Sequence, residues 1–160
     1  VNSLERRIQH IQNSEKKLIP KVLAIEWIEP FFTAGHWIPQ MIEFAGGINL
    51  ISKTGEHSRR MDIDEVVNSK PDIIIFMPCG FNIEKTRNEL EAQLMKNNEW
   101  SFLKAFKNKN FFVADGNQFF NRPGPRLIES LEIFAEIIHP KLFNFNHENI
   151  GWINFFKELS

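Results

Sequence analysis

The chain has no tyrosine, a single cysteine, no long hydrophobic run and almost no net charge. Each shortage removes a class of function. Cys79 by itself can close no intramolecular disulfide and cannot build a cysteine-rich metal site. The longest run of strictly apolar side chains, Ile73 to Met77, is far short of the roughly 20 residues that span a bilayer. The 19 Lys and Arg nearly balance 20 Asp and Glu and form no basic stripe, so a nucleic-acid module is not expected. The histidines are scattered without HxH or HExxH spacing, so no protein-built metal site is expected. The glycines form no GxGxxG after a strand, which argues against dinucleotide binding. Residues 1–17 are polar and charged, unlike a secretory signal, and read as the middle of a helix.

What the sequence holds in quantity is phenylalanine, 16 of them beside 4 Trp, in a 160-residue chain long enough for one well-cored domain. Leu4, Ile8 and Ile11 recur at helical spacing in an otherwise polar stretch, which predicts an exposed, one-sided helix ended near Pro20. "KVLAIEW", "DIIIFMP" (72–78) and "NFFVAD" (110–115) are short, continuous apolar runs of the kind that form strands covered on both faces. Between them, Ile38, Met41, Ile42 and Ala45 mark a helix closed by Gly46-Gly47, and "INLIS" (48–52) reads as a short strand. Asp62 and Glu65 have capping-box spacing and open a helix with Ile63, Val66 and Val67 inward. Further helices are predicted over 82–96, near "EWSFLKAF", and from Leu127 to Ile138. This alternation predicts an α/β fold: a Rossmann-like three-layer lobe over 20–142 with a mostly parallel sheet of about four strands. The tail, 143–160, is expected to be a short helix packed by Trp152, Ile153 and Phe156.

In an open parallel sheet, ligands bind beyond the carboxyl ends of the strands. The three main strands end in "EWIEPFFTAGHW" (26–37), "PCGFN" (78–82) and "DGNQFFNRPGPR" (115–126), which should emerge at one edge. These loops place Trp27, Phe31, Phe32, Trp37, Phe81, Phe119 and Phe120 at one end of the molecule, stiffened by Pro and Gly. One such residue caps a core; seven at one edge point to an aromatic-lined ligand surface. Glu26, His36, Asn117 and Arg122 are the polar groups that would orient a ligand there. Arg126, in the first turn of the last helix, is instead expected to pair with a carboxylate. A different reading starts from Cys79, which follows a strand and precedes a helix and could act as a thiol nucleophile with His36 as its base. No triad-like spacing or nucleophile elbow accompanies it.

The segments "VLAIEWIEPFFTAGHWIPQMIEFAGGINLI", "DEVVNSKPDIIIFMPCGF" and "VADGNQFFNRPGPRLIESLEIFAEIIHP" resemble the carboxyl-terminal lobe of the cobalamin-binding proteins. These belong to the helical-backbone class of substrate-binding proteins that serve ABC transporters for cobalamin, haem and iron–siderophores. The likeness covers about residues 20–140. It implies two α/β lobes joined by one long helix, with cobalamin held between them as a ligand, no built-in cofactor and no catalysis. Residues 1–19 would then be the end of the connecting helix, and the partner amino-terminal lobe would lie outside this sequence. The resemblance also implies an extracytoplasmic location and an ABC permease as partner. Phe31 and Phe32 match the family's aromatic stretch in the first loop, and Phe119, Phe120 and Arg122 match a segment that meets the corrin side chains. Asp64, with Glu65 next, matches an acidic position that docks onto permease arginines. Where the transport members carry a ligand-facing Trp before that helix, this chain has "HSRR" (57–60), with His57 or Ser58 in its place. A haem or iron–siderophore ligand is the alternative within the class, and the thiol enzyme is the alternative outside it.

Overall fold

The three apolar runs become the centre of a single sheet in the computed structural model, which describes residues 2–120 and 126–157. Its strands are β1 (Lys21–Trp27), β2 (Phe32–Thr33), β3 (Ile48–Asn49), β4 (Ile73–Phe76), β5 (Phe111–Ala114) and β6 (Trp152–Asn154). The order is β2-β1-β4-β5-β6, with β3 beside the start of β1. β3, β1, β4 and β5 run parallel, Val22 lying opposite Ile73 and Ile75 opposite Phe112, while β2 and β6 are antiparallel. The helices are α1 (Asn2–Asn13), α2 (Ile38–Phe44), α3 (Ile63–Ser69), α4 (Ile83–Lys96), α5 (Lys104–Lys107) and α6 (Leu127–Ile138), with a 3-10 turn over Asn98–Phe102.

The strands are fully apolar because both faces of the sheet are covered. Val22, Ala24, Ile75 and Met77 meet α1, α2 and α6; Leu23, Ile25, Ile74 and Phe76 meet the α3, α4 and α5 side. This three-layer α/β arrangement is the one the alternation of runs predicts. On the second face Trp100 is the hub, with edge-on contacts to Phe31 at 5.2 Å, Phe111 at 5.8 Å and Phe76 at 5.9 Å. Burying each such side chain contributes about 1.5–3 kcal/mol.

Three sequence expectations change. The sheet has six strands rather than about four, because the short β2 and β6 are antiparallel additions that apolar-run reading misses. Among its described residues the tail forms a strand in place of the expected helix: Trp152, Ile153 and Asn154 pair with Ala114, Val113 and Phe112 of β5. Helix α1 stops at Asn13, before Pro20, and the Lys16 ammonium caps its end by folding back onto the carbonyls of Ile11 and Ser14 at 2.5 and 2.9 Å.

Helix α6 is buried nearly all round, including Glu132 and Glu136, each 3% exposed. Such carboxylates need partners. Arg7 of α1 grips Glu132 with two nitrogens at 2.6 and 3.0 Å, and His147 Nε2 reaches the same carboxylate at 3.0 Å. Burial pushes the Glu132 carboxyl up, but the hydrogen bonds from Arg7 and His147 outweigh it and hold the group below its ordinary pKa. Glu136 accepts from Trp152 Nε1 at 2.8 Å and from the Phe145 amide at 2.5 Å, which fastens the tail to the helix.

Candidate functional site

Strand β1 alternates, and the residues at its carboxyl end divide. Val22 and Ala24 face α2 and α6 and Leu23 and Ile25 the other side; the β1–β2 register then shifts between Ile25 and Trp27, and Glu26 lines a cleft with Ile38 of α2 while Trp27 packs on Phe81. The aromatic loops therefore form two groups rather than one wall.

The first group surrounds a cleft of about 170 Å³ lined by Glu26, Gly35, His36, Trp37, Ile38, Met77, Cys79 and Phe120. Local backbone fixes its rim. His36 has a positive φ of 57°, an unusual conformation for a residue with a side chain. It is held there by its amide donating to Glu56 at 2.7 Å and its carbonyl accepting from Gly55 at 2.9 Å. Gly35 lets that loop press in, since a Cβ there would lie 2.5 Å from the Glu56 carbonyl oxygen. The result brings His57 beside His36, ring centroids 5.2 Å apart, with Trp37 at 5.9 Å from His36. Glu26 and His36 make no ion pair among the described residues. The floor is drawn together by backbone contacts: Cys79 N donates to Glu26 O at 3.2 Å and Asn117 N to Phe81 O at 3.1 Å. Gly116 lies so close to Pro78 that a Cβ would sit 2.1 Å from its carbonyl oxygen, so the second and third loops meet as one body. Asp115 closes the third loop's turn by accepting from the amides of Asn117 and Gln118.

The second group is Trp27 edge-on to Phe81 at 5.1 Å, with the Lys85 ammonium 4.0 Å from the Phe81 ring centroid and Phe32 paired opposite Trp27. Phe31 joins neither. It packs on Trp100 and lines a larger, open groove of about 710 Å³ with Glu29, Arg60, Asp62 and Glu65. Phe119 and Phe120 are also turned inward, 7% and 8% exposed, although Phe120 still lines the cleft. Phe119 lies under the Arg126 guanidinium at 5.1 Å, and Arg126 also donates to Gln118 Oε1 at 3.2 Å, so its expected carboxylate partner is replaced by a ring and an amide. Asn117 is exposed, and Arg122 lies outside the described residues. At the expected docking position Asp64 is exposed, whereas Glu65 is bound by Arg59 at 2.7 Å, and that hydrogen bond holds Glu65 below its ordinary pKa.

Sequence reasoning missed the buried Glu132 and Glu136 and the role of Gly35. The carboxylates had no clear signal, because Glu129, Glu132 and Glu136 share one helix face and read in sequence as an ordinary solvated stripe. Gly35 had none, because its partner loop is twenty residues away in sequence.

The pattern of the family described as "Periplasmic binding protein" matches residues 1–117. The high-affinity heme uptake system protein IsdE of Staphylococcus aureus is 26% identical over 115 residues, which cover 70% of this chain and 39% of that protein. This chain thus spans about two fifths of the length of the curated relatives it matches. An ABC transporter substrate-binding protein from Listeria monocytogenes shares the fold with a TM-score of 0.74 at 22% identity, over 87% of this chain and 55% of that one. The periplasmic vitamin B12 binding protein BtuF of Vibrio cholerae does so at 0.62 and 19%, over 86% and 48%. The heme-binding HutB of the same organism superposes at 0.68 and 16%, over 87% and 55%. With 117 of its 160 residues inside the family pattern, the chain belongs to the periplasmic binding protein family.

Proposed function

We propose that this chain is the carboxyl-terminal lobe of an extracytoplasmic, non-catalytic substrate-binding protein, and that its carboxyl edge holds one side of a corrinoid for delivery to an ABC permease. Residues 1–19 are the end of the interlobe helix in this reading, and an amino-terminal lobe closes the site. The observation that supports it is the cleft itself. Glu26 and His36, free of ion pairs among the described residues, stand beside Trp37 and Phe120, with Trp27 and Phe81 continuing the edge. A few unpaired polar groups in an aromatic frame suit a large, flat ligand with amide-bearing side chains. Asp64, rather than the Arg59-bound Glu65, is the candidate for meeting permease arginines.

A second reading, haem, is favoured by one observation, the His36–His57 imidazole pair at the rim. A relative named for heme uptake points the same way. Titrating hydroxocobalamin and haem in parallel against the protein carrying both lobes separates them. Saturable binding of the corrinoid with weak haem binding supports the first reading, and the reverse supports the second. Saturable binding of neither would remove both. Full ligand binding by Cys79→Ala together with an unreactive native thiol is expected and would remove the thiol-enzyme reading, whereas a reactive native thiol would favour it.

A further inference from the structure

Helix α1 reaches the base of the third loop through two side chains. The Arg7 guanidinium of α1 holds Glu132 in a two-pronged grip at 2.6 and 3.0 Å. The same carboxylate takes His147 Nε2 at 3.0 Å, and the His147 ring stands edge-on to Phe119, centroids 6.4 Å apart. Phe119 anchors the third loop: its amide donates to the Asp115 carbonyl at 3.3 Å, and its own carbonyl accepts from the buried Ser130 hydroxyl. The strand end beyond His147 also braces this loop, since the Asp115 amide donates to Gly151 O at 2.9 Å. A Cβ on Gly151 would lie 2.7 Å from Ile133 and 3.3 Å from the Phe119 ring, so the tail backbone presses directly on both.

A buried carboxylate shared between a guanidinium and an imidazole is a costly way to pack a helix that apolar side chains would fill as well. What it adds is direction, because a bidentate guanidinium–carboxylate pair tolerates little rotation. A turn of α1 that carries Arg7 with it reorients Glu132, and His147 must follow or break away from Phe119. We propose that Glu132 and His147 are positioning residues that couple the orientation of α1 to the third loop of the ligand edge. The ligand side of this inference rests on the binding role given to that loop above, whereas the coupling itself is a property of the lobe.

Hydrogen–deuterium exchange of the Asn117, Gln118 and Phe119 amides in the 160-residue chain tests it. Glu132→Gln, which has no direct contact with these amides, should speed their exchange about tenfold, while Arg6→Ala on the same helix should leave them unchanged. His147→Ala should have the same effect, and His147→Gln, whose side-chain amide can still donate to Glu132, should restore protection. Unchanged loop exchange in a folded Glu132→Gln protein overturns the coupling. Should that variant not fold, equal exchange in His147→Ala and His147→Gln overturns it instead, because ring packing alone would then account for the contact. Hydroxocobalamin titrated into the protein carrying both lobes decides the ligand reading separately: accelerated exchange in the variants of the 160-residue chain, with no saturable corrinoid binding by the two-lobed protein, upholds the coupling and sinks the ligand.

Discussion

Charge is handled in opposite ways at two places in this lobe. Where α1, α6 and the tail meet, the buried carboxylates are fully engaged, Glu132 by Arg7 and His147 and Glu136 by Trp152 and the Phe145 amide. At the carboxyl edge, Glu26 and His36 stand in a cleft without ion pairs among the described residues, and His36 holds a backbone conformation that disfavours folding. Satisfied polar groups fix one packing arrangement; unsatisfied ones at a cleft are kept available for something else. In the proposed function the corner serves stability and the edge serves binding, and substitutions should separate the two.

The largest effect is expected at the corner. Glu132→Ala should lower unfolding free energy by about 2–4 kcal/mol, read from urea denaturation midpoints, since it removes the shared partner of Arg7 and His147 and opens a cavity. A midpoint unchanged from the parent chain would mean the corner contributes nothing. A smaller effect of the same origin appears in acid. The folded pKa of Glu132 is depressed, so its contribution is complete above the unfolded carboxyl value of about 4.3 and is lost as pH falls through the lower folded value. Thermal melts across that acid range should show a steep loss of stability that Glu132→Gln flattens.

At the edge the sign reverses. His36→Gly should raise stability by about 0.5–1 kcal/mol by relieving the positive φ, while weakening corrinoid affinity about tenfold, by calorimetry. Loss of both stability and affinity would place His36 with the corner instead. The smallest effect belongs to the exposed Arg59–Glu65 pair: Arg59→Ala should leave the denaturation midpoint unchanged within error, since both side chains remain largely in water.

The sheet and its helices were legible because strand runs such as Ile73–Phe76 are apolar on both faces and the α6 residues keep helical spacing. The grouping of the edge was legible only in part. Sequence order places all three loops at one end, but it does not say which way a ring turns. Phe120 turns inward onto Phe134 of α6, Phe119 is drawn down by its carbonyl accepting from the Ser130 hydroxyl, and Phe31 is drawn to Trp100 on the opposite face. The tail was misjudged because Trp152 and Ile153 look alike in a helix or a strand at that length, and the choice is made by the free side of β5.

That choice bears on how the protein behaves in a tube. A chain cut at residue 142, where apolar patterning alone would end the lobe, loses β6 and leaves Phe111–Ala114 with one row of backbone groups unpaired. The exposed stretch would be two phenylalanines, a valine and an alanine, uncharged and free of proline, which is the kind of segment that pairs with copies of itself. Glu136 would at the same time lose the Trp152 and Phe145 donors that keep it buried. β6 therefore shields the edge of β5 from self-pairing: a lobe shortened to residue 142 should collect in the pellet more readily than the 160-residue chain.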